Sequence, residues 1–128
     1  MTEIMTMGRV TAAYISGDLD HHSARQIRSE IDREIADKRP QRLIIDFAGV
    51  TFMDSSGIGL IMGRYKLMSA AGGDVIVSRP PAYIKKVLKL AGVDRLAPVY
   101  DKAEDILPRK EYKAKEAEQI EQTTGQSR

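Results

Sequence analysis

The residues of this sequence best suited to chemistry are two adjacent serines, Ser55 and Ser56, which follow Asp54 in the segment 51–66, TFMDSSGIGLIMGRYK. A serine hydroxyl attacks a substrate when a histidine removes its proton, or it accepts a phosphoryl group from a kinase. The first chemistry would make the chain a hydrolase. The second would make it a phosphorylation switch acted on by another enzyme.

The hydrolase hypothesis needs a histidine base, and the sequence contains two, His21 and His22. Both follow an early strand, in a turn that the fold could bring towards Ser55 or Ser56. The flanks of the serines do not form a G-x-S-x-G elbow, and no HGGG-type run supplies an oxyanion hole. A small hydrolase that uses one of these serine–histidine pairs is therefore the alternative, and a switch protein that is not an enzyme is favoured.

No cofactor or metal is predicted. Gly57, Gly59 and Gly63 have the spacing G-x-G-x-x-x-G, which is not a dinucleotide-binding loop, and no P-loop occurs, so a nucleotide-binding enzyme stays an alternative only. The glycines are better explained as positions where the backbone turns and another surface comes close. The adjacent histidines point in different directions and have no third ligand near them in sequence, so a metal site is not expected.

Composition narrows the classes of function. The 128 residues, 42% of them hydrophobic, suffice for one compact domain. The net charge is +2, and the charged residues are scattered along the sequence without the basic stripe of a nucleic-acid-binding protein. There is no cysteine, which excludes disulfides, thiolate metal sites and cysteine nucleophiles. Without a long apolar run or a signal-peptide core, we expect a cytoplasmic protein with no membrane partner.

Hydrophobic periodicity predicts the elements that position the serines. Strands of period two alternate with helices of period 3.6, which indicates an α/β fold with a mixed sheet of about four to five strands. The nearly continuous apolar run 43–47 predicts a central strand flanked by helices on both faces. The predicted strands are 2–7, 10–16, 43–47, 75–77 and 96–99, and the predicted helices begin after a cap at Asp20 or Ser23, at 58, and after 81.

Ser55 is predicted at or just before the start of the second helix. There the positive helix end tolerates a phosphoserine, which carries about −1.5 to −2 charges at neutral pH. The alternative is that Ser55 only caps this helix. Along the helix we expect one stripe to be buried and the charged residues to face water. The stripe comprises Ile58, Ile61, Met62, Tyr65 and Met68, and the water-facing residues are Arg64, Lys66 and Ser69.

The C-terminal residues differ in composition from the rest of the chain. A capping box formed by Asp101 and Glu104 predicts a short last helix through Leu107. From 109 to 128 the sizeable apolar residues are Tyr112 and Ile120, too few to form a core. We therefore predict a folded domain over 1–108 and a polar, flexible tail over 109–128.

Two segments carry a resemblance to a known family. GDLDHHSA at 17–24 and TFMDSSGIGLIMGRYK at 51–66 resemble the STAS-domain anti-sigma factor antagonists over about residues 3–107. The block D-S-S-G-[IL]-G followed by G-R-Y-K is specific, and its pairing with L-D-H-H points to the sporulation subgroup of endospore-forming bacteria. Asp18 stands where glutamate is commoner in the family. The resemblance implies the STAS fold, with helices mainly on one side of the sheet.

The resemblance also implies a partner-switching mechanism. The unmodified antagonist binds an anti-sigma factor that is itself a serine kinase, and thereby frees the sigma factor. The kinase uses ATP to phosphorylate the antagonist, the two proteins separate, and a PP2C-type phosphatase restores the binding form. The family's phosphoacceptor falls on Ser55, and the aspartate that pairs with a kinase arginine falls on Asp20.

The expected site therefore consists of the phosphoacceptor and a docking surface, without direct binding of nucleic acid. A STAS switch in a stress-response sigma pathway is an alternative that the sequence does not separate from sporulation. The expected docking surface comprises Asp20, His21, Asp54, Ser56, Gly57, Ile58 and Gly59.

Overall fold

A computed structural model describes residues 1–102, which form five strands, three α-helices and one turn of 3-10 helix. The expected helix ending at Leu107 and the expected tail 109–128 lie outside the described residues. In chain order the elements are β1 (Thr2–Met7), β2 (Val10–Leu19), α1 (His21–Lys38), β3 (Arg42–Met53), α2 (Ser55–Ala70), β4 (Asp74–Ser78), α3 (Ala82–Leu90), the 3-10 turn (Val93–Arg95) and β5 (Val99–Tyr100).

The five strands form one mixed sheet in the order β1-β2-β3-β4-β5. β1 and β2 are an antiparallel hairpin, and β2 to β5 run parallel to one another. Parallel neighbours need a crossover connection, and α1, α2 and α3 supply one each between successive strands. The predicted α/β fold with a mixed sheet is therefore confirmed, with β3 at its centre.

The main core lies on one face of the sheet. Leu43, Ile45 and Phe47 of β3 are fully buried in a cluster to which α1, α2 and α3 all contribute. Full burial of each such side chain contributes about 1.5–3 kcal/mol relative to exposure. Since successive strand residues alternate between faces, Ile44 points to the opposite face and is buried with Val10 and Ile76.

The prediction that helices flank β3 on both faces is wrong for the part of the chain that the structure describes. Residues 1–102 place no helix in the second, smaller cluster, and Ile44 is covered there by side chains of neighbouring strands. The run 43–47 is apolar enough to suggest a helical layer on each face of the sheet. Its one polar residue, Asp46, is instead satisfied by hydrogen bonds from nearby residues. Asp46 is buried and accepts hydrogen bonds from Ser78 Oγ (2.9 Å), Arg79 Nε (2.8 Å) and the backbone N–H of Ala48 (3.0 Å).

Three strands are longer than the sequence predicts: β4 by one residue at each end, and β2 and β3 by more, whereas the last strand is Val99–Tyr100 instead of the predicted 96–99. β2 continues past Ser16 to Leu19, because Gly17 adopts φ +83° and the register shifts there instead of the strand ending. A glycine with positive φ inside a strand is typical of a bulge. β3 likewise continues beyond Phe47 to Met53. As a result, the two strands end side by side, with Leu19 paired to Met53.

The prediction that Arg64 faces water is also wrong. Arg64 is only 8% exposed, and its Nε lies 2.9 Å from Asp32 Oδ1 on α1. Burial lowers the pKa of Arg64, while the attraction of Asp32 opposes that shift.

The other predictions for α2 are mostly confirmed. Lys66 and Ser69 are exposed as expected. Of the predicted stripe, Ile61 and Met68 are buried, Ile58, Met62 and Tyr65 are half-buried against the core, and Leu60 is a buried residue that the stripe omitted.

We expect the Asp32–Arg64 ion pair to stabilise the packing of α1 on α2. Asp32→Ala leaves the arginine without its partner and should lower the free energy of unfolding by about 1–2 kcal/mol. In an Arg64→Met background the same change should cost at least about 0.5 kcal/mol less. Urea denaturation of the two single variants and the double variant measures this coupling. Strictly additive effects would contradict it, and Lys66→Met is the exposed control.

Candidate functional site

The site is built where β2 and β3 end. Parallel strands have their carboxyl ends at the same edge of a sheet, and neighbouring strands lie about 4.8 Å apart. The N–H of Asp54 donates to the carbonyl of Leu19 (3.2 Å), which ties the two strand ends together. The residue after each strand, Asp20 or Asp54, is the N-cap of a helix, so α1 and α2 start beside each other.

Asp20 is the N-cap of α1. Its Oδ1 accepts from the backbone N–H of Ser23 (2.9 Å), and its own N–H donates to Ser23 Oγ (3.0 Å), which together form a capping box. The Ser23 N–H donated to the carboxylate holds the pKa of Asp20 below its ordinary value of 3.8, so this half-buried group is ionised at neutral pH. A charged carboxylate is therefore held in place at the edge of the sheet.

Asp54 is the N-cap of α2, and its Oδ1 accepts from the N–H of Ser56 at 2.8 Å. Ser55 is the first residue of the helix and does not cap it, so the alternative role considered for its hydroxyl does not apply. Within residues 1–102 no hydrogen bond engages that hydroxyl, and Ser55 is exposed. The structure thus presents an accessible serine at a positive helix end whose cap is supplied by the preceding residue.

The residues after Ser55 differ in what they can contact. Ser56 and Ile58 are half-buried, and Gly59 is exposed. Gly57 is buried, and a Cβ placed there would overlap the side chain of Met53 and lie 3.1 Å from Leu19 Cδ2. The close approach that the sequence predicts at Gly57 is therefore an internal one, and this residue positions the turn without presenting a side chain.

The two histidines are exposed at the first two positions of α1. His21 and Ser56 line the same open groove, of about 430 Å³, between the first halves of α1 and α2. No hydrogen bond joins either histidine to Ser55 or Ser56. Among residues 1–102 no group of three side chains is arranged to hold a metal ion.

Several contacts at this edge were not foreseen from the sequence. Thr51 Oγ1 donates to Asp18 Oδ1 (3.0 Å), and Tyr83 Oη donates to the carbonyl of Thr51 (2.9 Å), so β2, β3 and α3 are joined beside Ser55. Arg25 and Arg28 also line the groove. They follow His21 by four and seven residues, which places all three on one face of a helix. This spacing is the feature of the sequence that could have predicted their position in the groove.

Residues 2–106 match the family model of the STAS domain. The chain belongs to the STAS domain family. This confirms the resemblance found in the sequence and explains the mixed sheet with its helices on one face.

Similar proteins within this family include anti-sigma factor antagonists. The anti-sigma F factor antagonist of Paenibacillus polymyxa is 34% identical over 87 residues, which are 68% of this chain and 74% of that protein. Two solved structures of the anti-sigma factor antagonist SpoIIAA, stage II sporulation protein AA, are each 30% identical and cover 83% of this chain. The unphosphorylated form has a TM-score of 0.72 with 93% of that chain covered, and the phosphorylated Bacillus form has 0.66 with 96% covered.

Within residues 1–102, no helix has both the length and the apolar character needed to cross a bilayer.

Gly57→Ala should destabilise the fold by about 1 kcal/mol, because the overlap with Met53 outweighs the helix propensity gained. In a Met53→Ala background the same change should cost less, since the overlapping side chain is gone. Chemical denaturation of the four proteins of this cycle measures the coupling. An equal cost in both backgrounds would mean that Met53 does not restrict this position.

Asp20→Asn should lower stability at neutral pH and lose this effect in acid. Asparagine keeps the cap but carries no charge. Because the pKa of Asp20 is lowered on folding, its charge stabilises the fold above the ordinary value of 3.8, and that contribution is lost as the pH falls through the lowered value. Thermal unfolding of both proteins across this range measures the difference. A difference independent of pH would contradict the assignment.

Proposed function

We propose that this chain is a cytoplasmic anti-sigma factor antagonist switched by phosphorylation of Ser55. In the unphosphorylated form it binds an anti-sigma factor that is a serine kinase, and the sigma factor is released. Phosphorylation of Ser55 by that kinase ends the complex, and a PP2C-type phosphatase restores the binding form. The chain itself carries out no catalysis.

The observation that carries this proposal is the state of the Ser55 hydroxyl. It is exposed, it makes no hydrogen bond within residues 1–102, and Asp54 performs the capping that it would otherwise supply. A kinase can reach it without unwinding α2. Phosphorylation therefore costs the fold little, because the positive end of a helix favours a negative group.

The effect of phosphorylation falls on the partner. The phosphate adds bulk and negative charge beside the Asp54 cap, on an edge that also holds the charged Asp20. A partner surface that fits a small hydroxyl must then accommodate the volume and the charge of a phosphate, which weakens binding. We propose that Asp20 attracts a basic side chain of the kinase and that the phosphate on Ser55 disrupts this docking.

We propose the docking surface expected from the sequence, and the accessibility of most of its residues supports this proposal. Asp20, His21, Asp54, Ser56 and Gly59 lie at the two helix starts and are exposed or half-buried. Ile58 contributes its half-buried side chain. Gly57 is buried and supports this surface indirectly, because the absence of a Cβ lets the first turn of α2 pack on Met53 and Leu19.

The names of the relatives support the sporulation pathway over the stress-response alternative. The Paenibacillus polymyxa and Lysinibacillus sphaericus proteins are both named anti-sigma F factor antagonists, and the second is 38% identical over 77 residues. We therefore propose an anti-sigma F factor as the partner. A pull-down from native cytosol with and without ATP, followed by mass spectrometry, identifies the protein retained.

Ser55→Ala should bind the cognate anti-sigma factor but resist release by ATP, because the phosphoacceptor is missing. Ser55→Asp should bind at least about tenfold more weakly, equivalent to about 1.4 kcal/mol, since it places a permanent charge at the switch. Isothermal titration calorimetry gives the affinities, and intact-mass spectrometry after incubation with kinase and ATP locates the phosphate.

Ser56→Ala is the matched control and should still gain one phosphate. Wild-type affinity for Ser55→Asp would contradict the charge mechanism. Phosphate found on Ser56 would contradict the choice of acceptor.

A further inference from the structure

The groove between the first halves of α1 and α2 contains two arginines, Arg25 and Arg28, that the docking surface of the proposed function does not include. Its α1 wall is formed by His21, Ala24, Arg25 and Arg28, and its α2 wall by Ser56, Gly59 and Leu60. It is lined by Ser56, the residue after the proposed phosphoacceptor, and has a volume of about 430 Å³. A protein docked on the proposed surface, which includes His21, Ser56 and Gly59, therefore lies over this groove.

We propose that the groove receives an acidic side chain, aspartate or glutamate, from the anti-sigma factor partner. This inference rests on the proposed function and adds a second, oppositely charged contact to the one made by Asp20. The docking edge would then present a fixed negative group at the start of α1 and a positive groove one to two turns further along the same helix.

Charge is the first argument for an acidic occupant. None of the residues that line the groove carries a carboxylate, and both arginines are exposed. Within residues 1–102 neither Arg25 nor Arg28 forms an ion pair. The nearby carboxylate of Asp32 is already engaged by Arg64, whose own pKa is lowered in part by the positive charge of Arg28. The positive charge of the groove is therefore not balanced by its walls.

Shape is the second argument. A Cβ built on Gly59 meets no atom of residues 1–102 within 4 Å, so the open space of the groove begins directly at the α2 backbone. Ala24 is the smallest side chain available on the opposite wall. Glycine in the interior of a helix costs up to about 1 kcal/mol relative to alanine, and no contact with residues 1–102 requires a glycine here. A partner side chain that approaches the α2 backbone would explain why a glycine is present at position 59.

The bidentate geometry of arginine suits a carboxylate better than a neutral group. Contacts of exposed charges at an interface act mainly through association rate and salt dependence. An acidic side chain in this groove would thus align the partner before Ser55 enters the kinase site.

Arg25→Glu and Arg28→Glu should each weaken binding of the cognate anti-sigma factor, and the double variant should bind at least about tenfold more weakly. Wild-type affinity should fall as salt is raised, and the double variant should have a shallower salt dependence. Arg33→Glu is the matched control, because it makes the same change at an exposed position of α1 outside the groove. Surface plasmon resonance gives affinities and association rates.

Gly59→Ala tests the shape of the groove without altering its charge. It should raise the melting temperature of the isolated chain, since the methyl group meets nothing, and yet weaken binding several-fold. Gly63→Ala is the matched control on α2. Its Cβ also meets nothing within 4 Å, but the residue lies outside the groove, so it should stabilise the chain and leave affinity unchanged.

The outcomes separate this inference from the function on which it rests. If wild type binds the anti-sigma factor and is phosphorylated on Ser55, but the arginine and Gly59 variants bind equally well, the groove inference is overturned and the switch stands. If wild type neither binds nor is phosphorylated, the proposed function is overturned and the groove loses its partner. Selective loss in the groove variants, with both controls intact, supports the inference.

Discussion

The pairing of Leu19 with Met53 is the constraint on which the site depends. It places the last residues of two parallel strands side by side, and the backbone hydrogen bond from Asp54 to Leu19 holds them there. Because each strand passes directly into a helix, the two helix starts have no freedom to separate. The exposed serine, the two capping carboxylates and the cationic groove are all consequences of this one juxtaposition.

The charges around this edge are arranged by the helices. Asp20 and Asp54 each accept a backbone N–H at the positive ends of α1 and α2, which holds both side chains in place. Arg25 and Arg28 follow on α1, and Arg64 is turned inward to Asp32. In the first half of α1 the capping carboxylate is thus followed by two arginines, and the exposed Ser55 hydroxyl lies at the start of the neighbouring helix.

The sequence predicts local features well and long-range ones poorly. The order of strands and helices, the Asp20 cap and the edge position of β5 follow from periodicity and from capping and proline rules, which act over a few residues. The inward turn of Arg64 does not, because its partner Asp32 lies on another helix. The continuation of β2 through Gly17 was missed, since a glycine with positive φ ends many strands but here forms a bulge that the β3 ladder stabilises. The groove was missed for the same reason, as its two walls come from helices that only the sheet brings together.

The capping of α2 by Asp54 has a consequence for the proposed switch. Since the helix is already capped by a neighbouring side chain, adding or removing a phosphate on Ser55 would require no segment to unfold and refold. The recovery time would then be set by the enzymes that add and remove the phosphate, and each copy would pass through many rounds without a refolding step that exposes apolar segments to aggregation.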